Sequence, residues 1–221
     1  MALEWDVAPL RLCAFAFVSA TVVVSSSEPT CFAGLVLAGG EGSRYGGPKA
    51  WAELPDGRTF LAACVGTLLT AGARPLIATV PPGSVDPHIT GLSVVPLAEP
   101  GLDMFASLRV GLQRLVGDDS WRRVVVLPVD HPLVRPTTVV ALAAVGGPAV
   151  IPGHDGKHGH PVVLDRTTAA DVAAGGMRGP TLRDVLAEVG ATEVAVDDPG
   201  AIANCNTPAA LSRALARSAG A

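Results

Sequence analysis

Aromatic residues are scarce, 4 % of 221 residues with a single tyrosine. That leaves too few rings for the stacking platforms that hold single-stranded nucleic acid. No block of lysine or arginine occurs, and 16 basic against 20 acidic side chains give a net charge of −4. The electrostatic footprint of a general nucleic-acid binder is therefore missing. The four cysteines, Cys13, Cys31, Cys64 and Cys205, form no C-x-x-C pair. They read as isolated thiols of a reducing compartment, neither a disulfide framework nor a zinc site. Charged residues amount to only 16 % against 49 % hydrophobic, the reverse of a disordered chain. There is no internal repeat and no low-complexity tract. The apolar run Leu12 to Val24 is too short to cross a bilayer comfortably. As a secretory signal it has a plausible hydrophobic region, but Glu4 and Asp6 outweigh Arg11 ahead of it. Ser25, Ser26 and Ser27 then lead to Pro29 as a linker would. The expectation is a leader or appended segment over 1–30 and one cytoplasmic domain over 31–221, without stable membrane association.

What is present is an alternation of short β-rich and helical runs. Ala33–Ala38, Pro75–Val80, Leu92–Leu97, Ala149–Ile151, Pro161–Leu164 and Glu193–Val196 read as strands. Arg123–Pro128, with Val124-Val125-Val126-Leu127, reads as a strand buried on both faces. Phe60–Ala71, Met104–Val116, Thr137–Val145, Pro180–Val189 and Pro208–Ala216 carry helical spacing, two of them with proline near the first turn. The pattern predicts an α/β domain with a mostly parallel sheet and flanking helices.

Ligands of such sheets sit at the carboxyl ends of the strands, so the loops there carry the functional reading. The first runs Leu37-Ala38-Gly39-Gly40-Glu41-Gly42-Ser43-Arg44-Tyr45-Gly46-Gly47-Pro48-Lys49. Its glycines let backbone N–H groups approach a polyphosphate, and Arg44 and Lys49 can neutralise one. It is no Walker A loop, because Pro48 precedes the lysine and no Ser or Thr follows. Nor is it a dinucleotide fingerprint: Tyr45 stands where the third glycine belongs, and the next strand ends in Thr79-Val80-Pro81-Pro82 without a ribose-binding acid. His154, His158 and His160 cluster, but without ligand-pair spacing or a nearby cysteine they do not make a zinc site.

Leu37-Ala38-Gly39-Gly40…Arg44-Tyr45-Gly46…Lys49 resembles the signature loop of the molybdenum-cofactor nucleotidyltransferase-like family. Further matches follow in order: Met104…Ser107-Leu108…Gly111, Pro128-Val129-Asp130-His131-Pro132, Gly159-His160-Pro161 and Asn204-Cys205-Asn206-Thr207-Pro208. The resemblance covers residues 33 to about 215 and implies a fold like that of the nucleotide-diphospho-sugar transferases.

By that resemblance the chain is a Mg²⁺-dependent enzyme. It would move NMP from an NTP, GTP or CTP, to a phosphorylated small-molecule acceptor of molybdopterin type, releasing pyrophosphate. The implied nucleotide-binding residues are Leu37, Ala38, Gly39, Gly40, Gly42, Ser43 and Ser107, with Arg44, Lys49 and Asp130 catalytic. Asp130 and Asn206 are the implied metal ligands, and Gly159 and His160 the implied acceptor residues. Lys157, Arg178 and Arg183 rank behind them as partners of an acceptor phosphate.

Four positions depart from the pattern. Tyr45 replaces a methionine, Asp103 replaces a glycine and reads as a helix cap, and Asn204 and Asn206 stand where cytidylyl-transferring relatives carry aspartates. Two alternatives remain open at this stage. One is transfer to a sugar or polyol phosphate; the other is a nucleotide binder that has lost turnover.

Overall fold

The computed structural model describes residues 31–40, 42, 45, 47–177 and 179–218. The expected segment 1–30 lies outside the described residues. Among the described residues eight strands form one sheet: β1 Phe32–Leu37, β2 Leu76–Val80, β3 Leu92–Pro96, β4 Arg123–Pro128, β5 Ala149–His154, β6 Lys157–His158, β7 Val162–Asp165 and β8 Thr192–Ala195. The helices are α1 Phe60–Thr70, α2 Met104–Leu115, α3 Pro136–Ala143, α4 Arg166–Ala174, α5 Leu182–Val189, α6 Pro199–Ile202 and α7 Pro208–Ser218.

The path across the sheet is β3-β2-β1-β4-β7-β5-β6, with β8 on the other edge of β5. β3, β2, β1 and β4 are parallel, and β1 and β4 are the strands that read as continuous apolar runs. β7 lies antiparallel between β4 and β5, while β5 and β8 pair in parallel. The sheet is thus mixed, with its parallel half carrying the long pairings. β5 and β6 form a hairpin whose turn, Asp155 (φ 49°) and Gly156 (φ 68°), has both central residues left-handed. That twist suits the strands it joins.

Alternation along β1 and β4 assigns side chains to two cores. Leu35, Leu37, Val124 and Val126 join α2, α4 and α5 on one face. Val36, Val125 and Leu127 join α1, α3 and α7 on the other. α2 lies close on β1 because Gly111 has no side chain; a Cβ there would stand 2.5 Å from Leu35 Cδ1.

Helix starts follow the capping chemistry in the sequence. Asp103 accepts from Ala106 N at 2.7 Å, as the reading of its departure required. Thr181 and Asp184 form a capping box. α4 and α6 were not foreseen. Asp165 ends β7 and caps α4 at once, accepting from Thr168 N at 2.8 Å, so no loop announces the helix. α6 is a single turn led by Asp198 and Pro199.

Candidate functional site

From β1 the chain crosses through α1 on one face to β2; from β3 it crosses through α2 on the other face to β4. The connections diverge at β1 and β4, and a crevice opens at the carboxyl ends of those neighbours. A cleft of about 200 Å³ lies there. Gly39, Gly40 and Lys49 wall it from the loop after β1, Val129 and Asp130 from the turn after β4, and Ser107 from α2.

Close packing explains the glycines. A Cβ at Gly39 would meet Leu97 Cδ1 at 2.3 Å and Ser107 Oγ at 3.1 Å, whereas Gly40 faces open space. Gly42 has φ +59°, and a Cβ there would meet the Gly47 carbonyl oxygen at 2.2 Å. Only glycine lets the loop turn back so tightly. Leu37 and Ala38 are buried at the end of β1, and the Ser107 hydroxyl donates to the Asp103 carbonyl at 3.0 Å.

Lys49 begins a short 3₁₀ turn, Lys49–Trp51. Its ammonium donates to Asn206 Oδ1 and lies 3.8 Å from Asp130 Oδ2, both side chains being 19 % exposed. Three residues singled out from the sequence therefore meet at one point. The backbone around Cys205 holds them there: Cys205 N donates to the Asp130 carbonyl at 2.7 Å, and Tyr45 Oη donates to the Cys205 carbonyl at 3.1 Å. Burial, then the neighbouring Cys205, raises the Tyr45 phenol above its ordinary value. Burial likewise pushes the Cys205 thiol up to about 11, Asp130 adding to the shift.

Arg44, Ser43 and Arg178 lie outside the described residues. Gly159 and His160 are brought beside the Asp130 turn but not to the cleft walls. His160 N donates to the Ala201 carbonyl at 2.8 Å, and a Cβ at Gly159 would fall 2.1 Å from that same oxygen. This close contact braces the segment around Ala201. The His160 ring packs on His131 with centroids 4.8 Å apart. Burial, then His131, takes His160 down to about 3, and burial lowers His131 as well. His154 and His158 are occupied at the Val196 carbonyl and Glu193. Lys157 and Arg183 are exposed. Asn204 is exposed, unlike Asn206.

Asp198 escaped the sequence reading. It is buried, and its carboxylate accepts from Arg135 N, Thr138 Oγ1 and Gly200 N at 2.6–2.9 Å. It ties α3 to the segment leading to Asn206. The Asp-Pro start of a helix was its available signal.

A mixed, mostly parallel sheet with flanking helices and a glycine-rich loop at its switch point defines a nucleotide-diphospho-sugar transferase type of fold. The sequence model of the MobA-like NTP transferase domain matches residues 34–194. The chain belongs to that family and is a nucleotidyltransferase. A probable molybdenum cofactor guanylyltransferase of Mycobacterium avium (strain 104) is 30 % identical over 199 residues, 84 % of this chain and 95 % of that protein. The crystal structure of Rv0371c from Mycobacterium tuberculosis H37Rv is 27 % identical with a TM-score of 0.67, covering 86 % of this chain and 100 % of that one. A manganese complex of the same protein also matches, at 27 % identity and TM-score 0.64 over 85 % of this chain and 99 % of that one. Among the described residues no helix is long and apolar enough to cross a membrane.

Proposed function

We propose that the domain over 31–221 transfers a guanylyl group from GTP to the phosphate of a molybdopterin-type acceptor, releasing pyrophosphate. The carrying observation is the convergence of Lys49, Asp130 and Asn206 at the ends of β1 and β4. The guanylyltransferase relative supports guanine over cytosine.

In this reading the backbone around Leu37, Ala38, Gly39, Gly40, Gly42 and Ser43 lines the nucleotide, with Ser107 closing its far wall. Arg44 and Lys49 meet the triphosphate. Attack on the α-phosphorus is in line, so the protein mainly fixes positions and offsets charge. Lys49 does the second: its ammonium, now shared by Asp130 and Asn206, moves to the phosphate oxygens where negative charge grows. Gly159 and His160 hold the acceptor side by bracing the Asn206 segment.

The residues present fit a divalent metal. Asp130 and Asn206 turn two oxygens toward one cationic atom, a hard donor set. No group of three or more His, Cys, Asp or Glu forms a cage among the described residues. A site that leaves positions for substrate phosphates is what Mg²⁺ favours. Asp130 and Asn206 would hold the ion, which would supply positive charge to offset that of the triphosphate. The manganese complex of the Mycobacterium tuberculosis protein supports a divalent ion.

The test is pyrophosphate release from each NTP with Mg²⁺ and molybdopterin. GTP should lead, CTP should trail, and a sugar phosphate should not serve as acceptor. Absence of release with every NTP and acceptor would overturn the reading in favour of a nucleotide binder.

A further inference from the structure

The Asp130 turn and the segment leading to Asn206 run side by side in opposite directions, and their contacts fall in step. Cys205 N donates to the Asp130 carbonyl at 2.7 Å. A Cβ on Gly200 would stand 2.2 Å from the Leu133 carbonyl oxygen. At the far end the Asp198 carboxylate accepts from Arg135 N at 2.9 Å. Neither segment is part of a strand, so no ladder of paired residues fixes which residue faces which.

Asp198 is the far anchor of this alignment, and it is buried. Its Oδ2 accepts from both Arg135 N and Thr138 Oγ1, while Oδ1 accepts from Gly200 N. All three donors are neutral, and burying a carboxylate among neutral donors is costly. Capping α6 alone would take one acceptor, which Ser or Asn supplies as well. The second oxygen serves the other segment. Arg135 begins α3 without a side-chain cap of its own, and Asp198 supplies that cap from 63 residues away.

We propose that Asp198 is a positioning residue that sets the register of the 198–206 segment on the 130–135 turn, and so brings Asn206 to Asp130 and Lys49. A slip of one residue would carry Asn206 about 3 Å along the turn, out of reach of the hydrogen bond it accepts from Lys49. Use of that register to hold a metal rests on the nucleotidyltransferase reading; the register itself does not.

The two buried thiols give a readout that needs neither metal nor substrate. Cys205 lies inside the anchored segment, whereas Cys64 lies in α1 with its Sγ 3.8 Å from the Val129 carbonyl oxygen. In Asp198→Asn the single amide oxygen can serve Gly200 or the Arg135 and Thr138 donors, but not both. Alkylation of Cys205 in the native chain should then speed up about 10–100-fold, the scale of a lost hydrogen bond to a charged group. The route is local opening of the segment, so Cys64 should keep its parent rate. Thr138→Val removes one donor from Oδ2 and should act in the same direction, while Thr138→Ser should restore the parent rate. In the isotope-labelled chain, the Mn²⁺ concentration that half-broadens the Asp130 amide signal should rise several-fold in Asp198→Asn, since one of two ligands is displaced.

Equal acceleration of Cys64 and Cys205 would make Asp198 a prop of the whole fold and overturn the proposal. So would parent-like labelling of Cys205 in Asp198→Asn, or a Thr138→Ser that labels like Thr138→Val. Should Asp198→Asn fail to fold, the two Thr138 variants decide. Selective opening at Cys205 in a chain whose Asp130 signal Mn²⁺ does not broaden would leave the register standing and remove the metal site.

Discussion

The hydroxyl of Tyr45 reaches across the site to the Cys205 carbonyl oxygen, 160 residues along the chain and 3.1 Å away. Its ring meets Phe60 edge-on, with centroids 5.6 Å apart. The glycine-rich loop is thereby fastened to the segment that carries Asn206. Tyr45→Phe removes the hydroxyl and keeps the ring. A neutral hydrogen bond contributes about 0.5–1.5 kcal/mol, so the melting temperature should fall by only a few degrees. The KM for GTP should rise more than kcat falls, because the loop holds ground state and transition state alike. Steady-state kinetics of the two forms decide it, and unchanged KM would detach Tyr45 from the site.

Removing the ammonium should act on turnover. Lys49→Ala is expected to lower kcat by roughly 10²–10³, the scale of one preorganised donor lost from a developing charge. Folding should change little, since among the described residues the ammonium's polar partners are Asn206 and Asp130 across the cleft. Pyrophosphate release at saturating GTP measures it. A variant turning over at the parent rate would end the assignment of this lysine.

Asn206→Asp adds a carboxylate beside Asp130. Hard cations gain from each added charge, so half-saturation by Mg²⁺ should move to several-fold lower concentration. The new carboxylate should also grip Lys49 more firmly, leaving kcat equal or lower. Asp130→Asn should do the opposite and abolish Mg²⁺-dependent release while sparing metal-free GTP binding. Metal titrations of pyrophosphate release check both. A response to Mg²⁺ identical in all three proteins would place the metal elsewhere.

Two glycines should answer in opposite directions. Gly111→Ala drives a Cβ to 2.5 Å from Leu35 Cδ1 and 2.8 Å from Cδ2, with Leu35 fully buried. Overpacking of this kind costs about 1–3 kcal/mol. Gly66→Ala, within α1 and with nothing inside 4 Å, should instead stabilise by about 0.4–1 kcal/mol. Chemical denaturation of both variants tests the α2–β1 contact against a control from the same protein.

Thiol labelling should be selective. Burial raises Cys64, and Cys205 rises to about 11, so at neutral pH both are almost wholly protonated and unreactive. Cys31 is exposed. An alkylating reagent at pH 7 should modify Cys31 rapidly in the native chain, with Cys64 and Cys205 reacting only after unfolding. Peptide mapping by mass spectrometry gives the order, and rapid native modification of Cys64 would contradict the packing around β4.

Much of the fold was legible because its signals are local. The apolar runs of β1, β2 and β4, the face of Leu108, Leu112 and Leu115, and the Asp103 cap each depend on neighbours within a few residues. α4 was illegible for a local reason too, since one residue, Asp165, both ends a strand and caps a helix. The sheet order could not be read, because whether β7 runs with or against β4 depends on pairing partners rather than on its own sequence. The five ordered motifs named the residues of the site, yet not their arrangement.

The sequence by itself determined the class of fold, the glycine-rich loop and the residue types available to chemistry, because periodicity and steric freedom are properties of short segments. Only the tertiary structure decided that Lys49 would meet Asn206, 157 residues away, with Asp130 beside them. It alone set His160 against His131 instead of in the cleft. Contacts between distant segments follow from how two cores close on one sheet, and no local pattern encodes that closure.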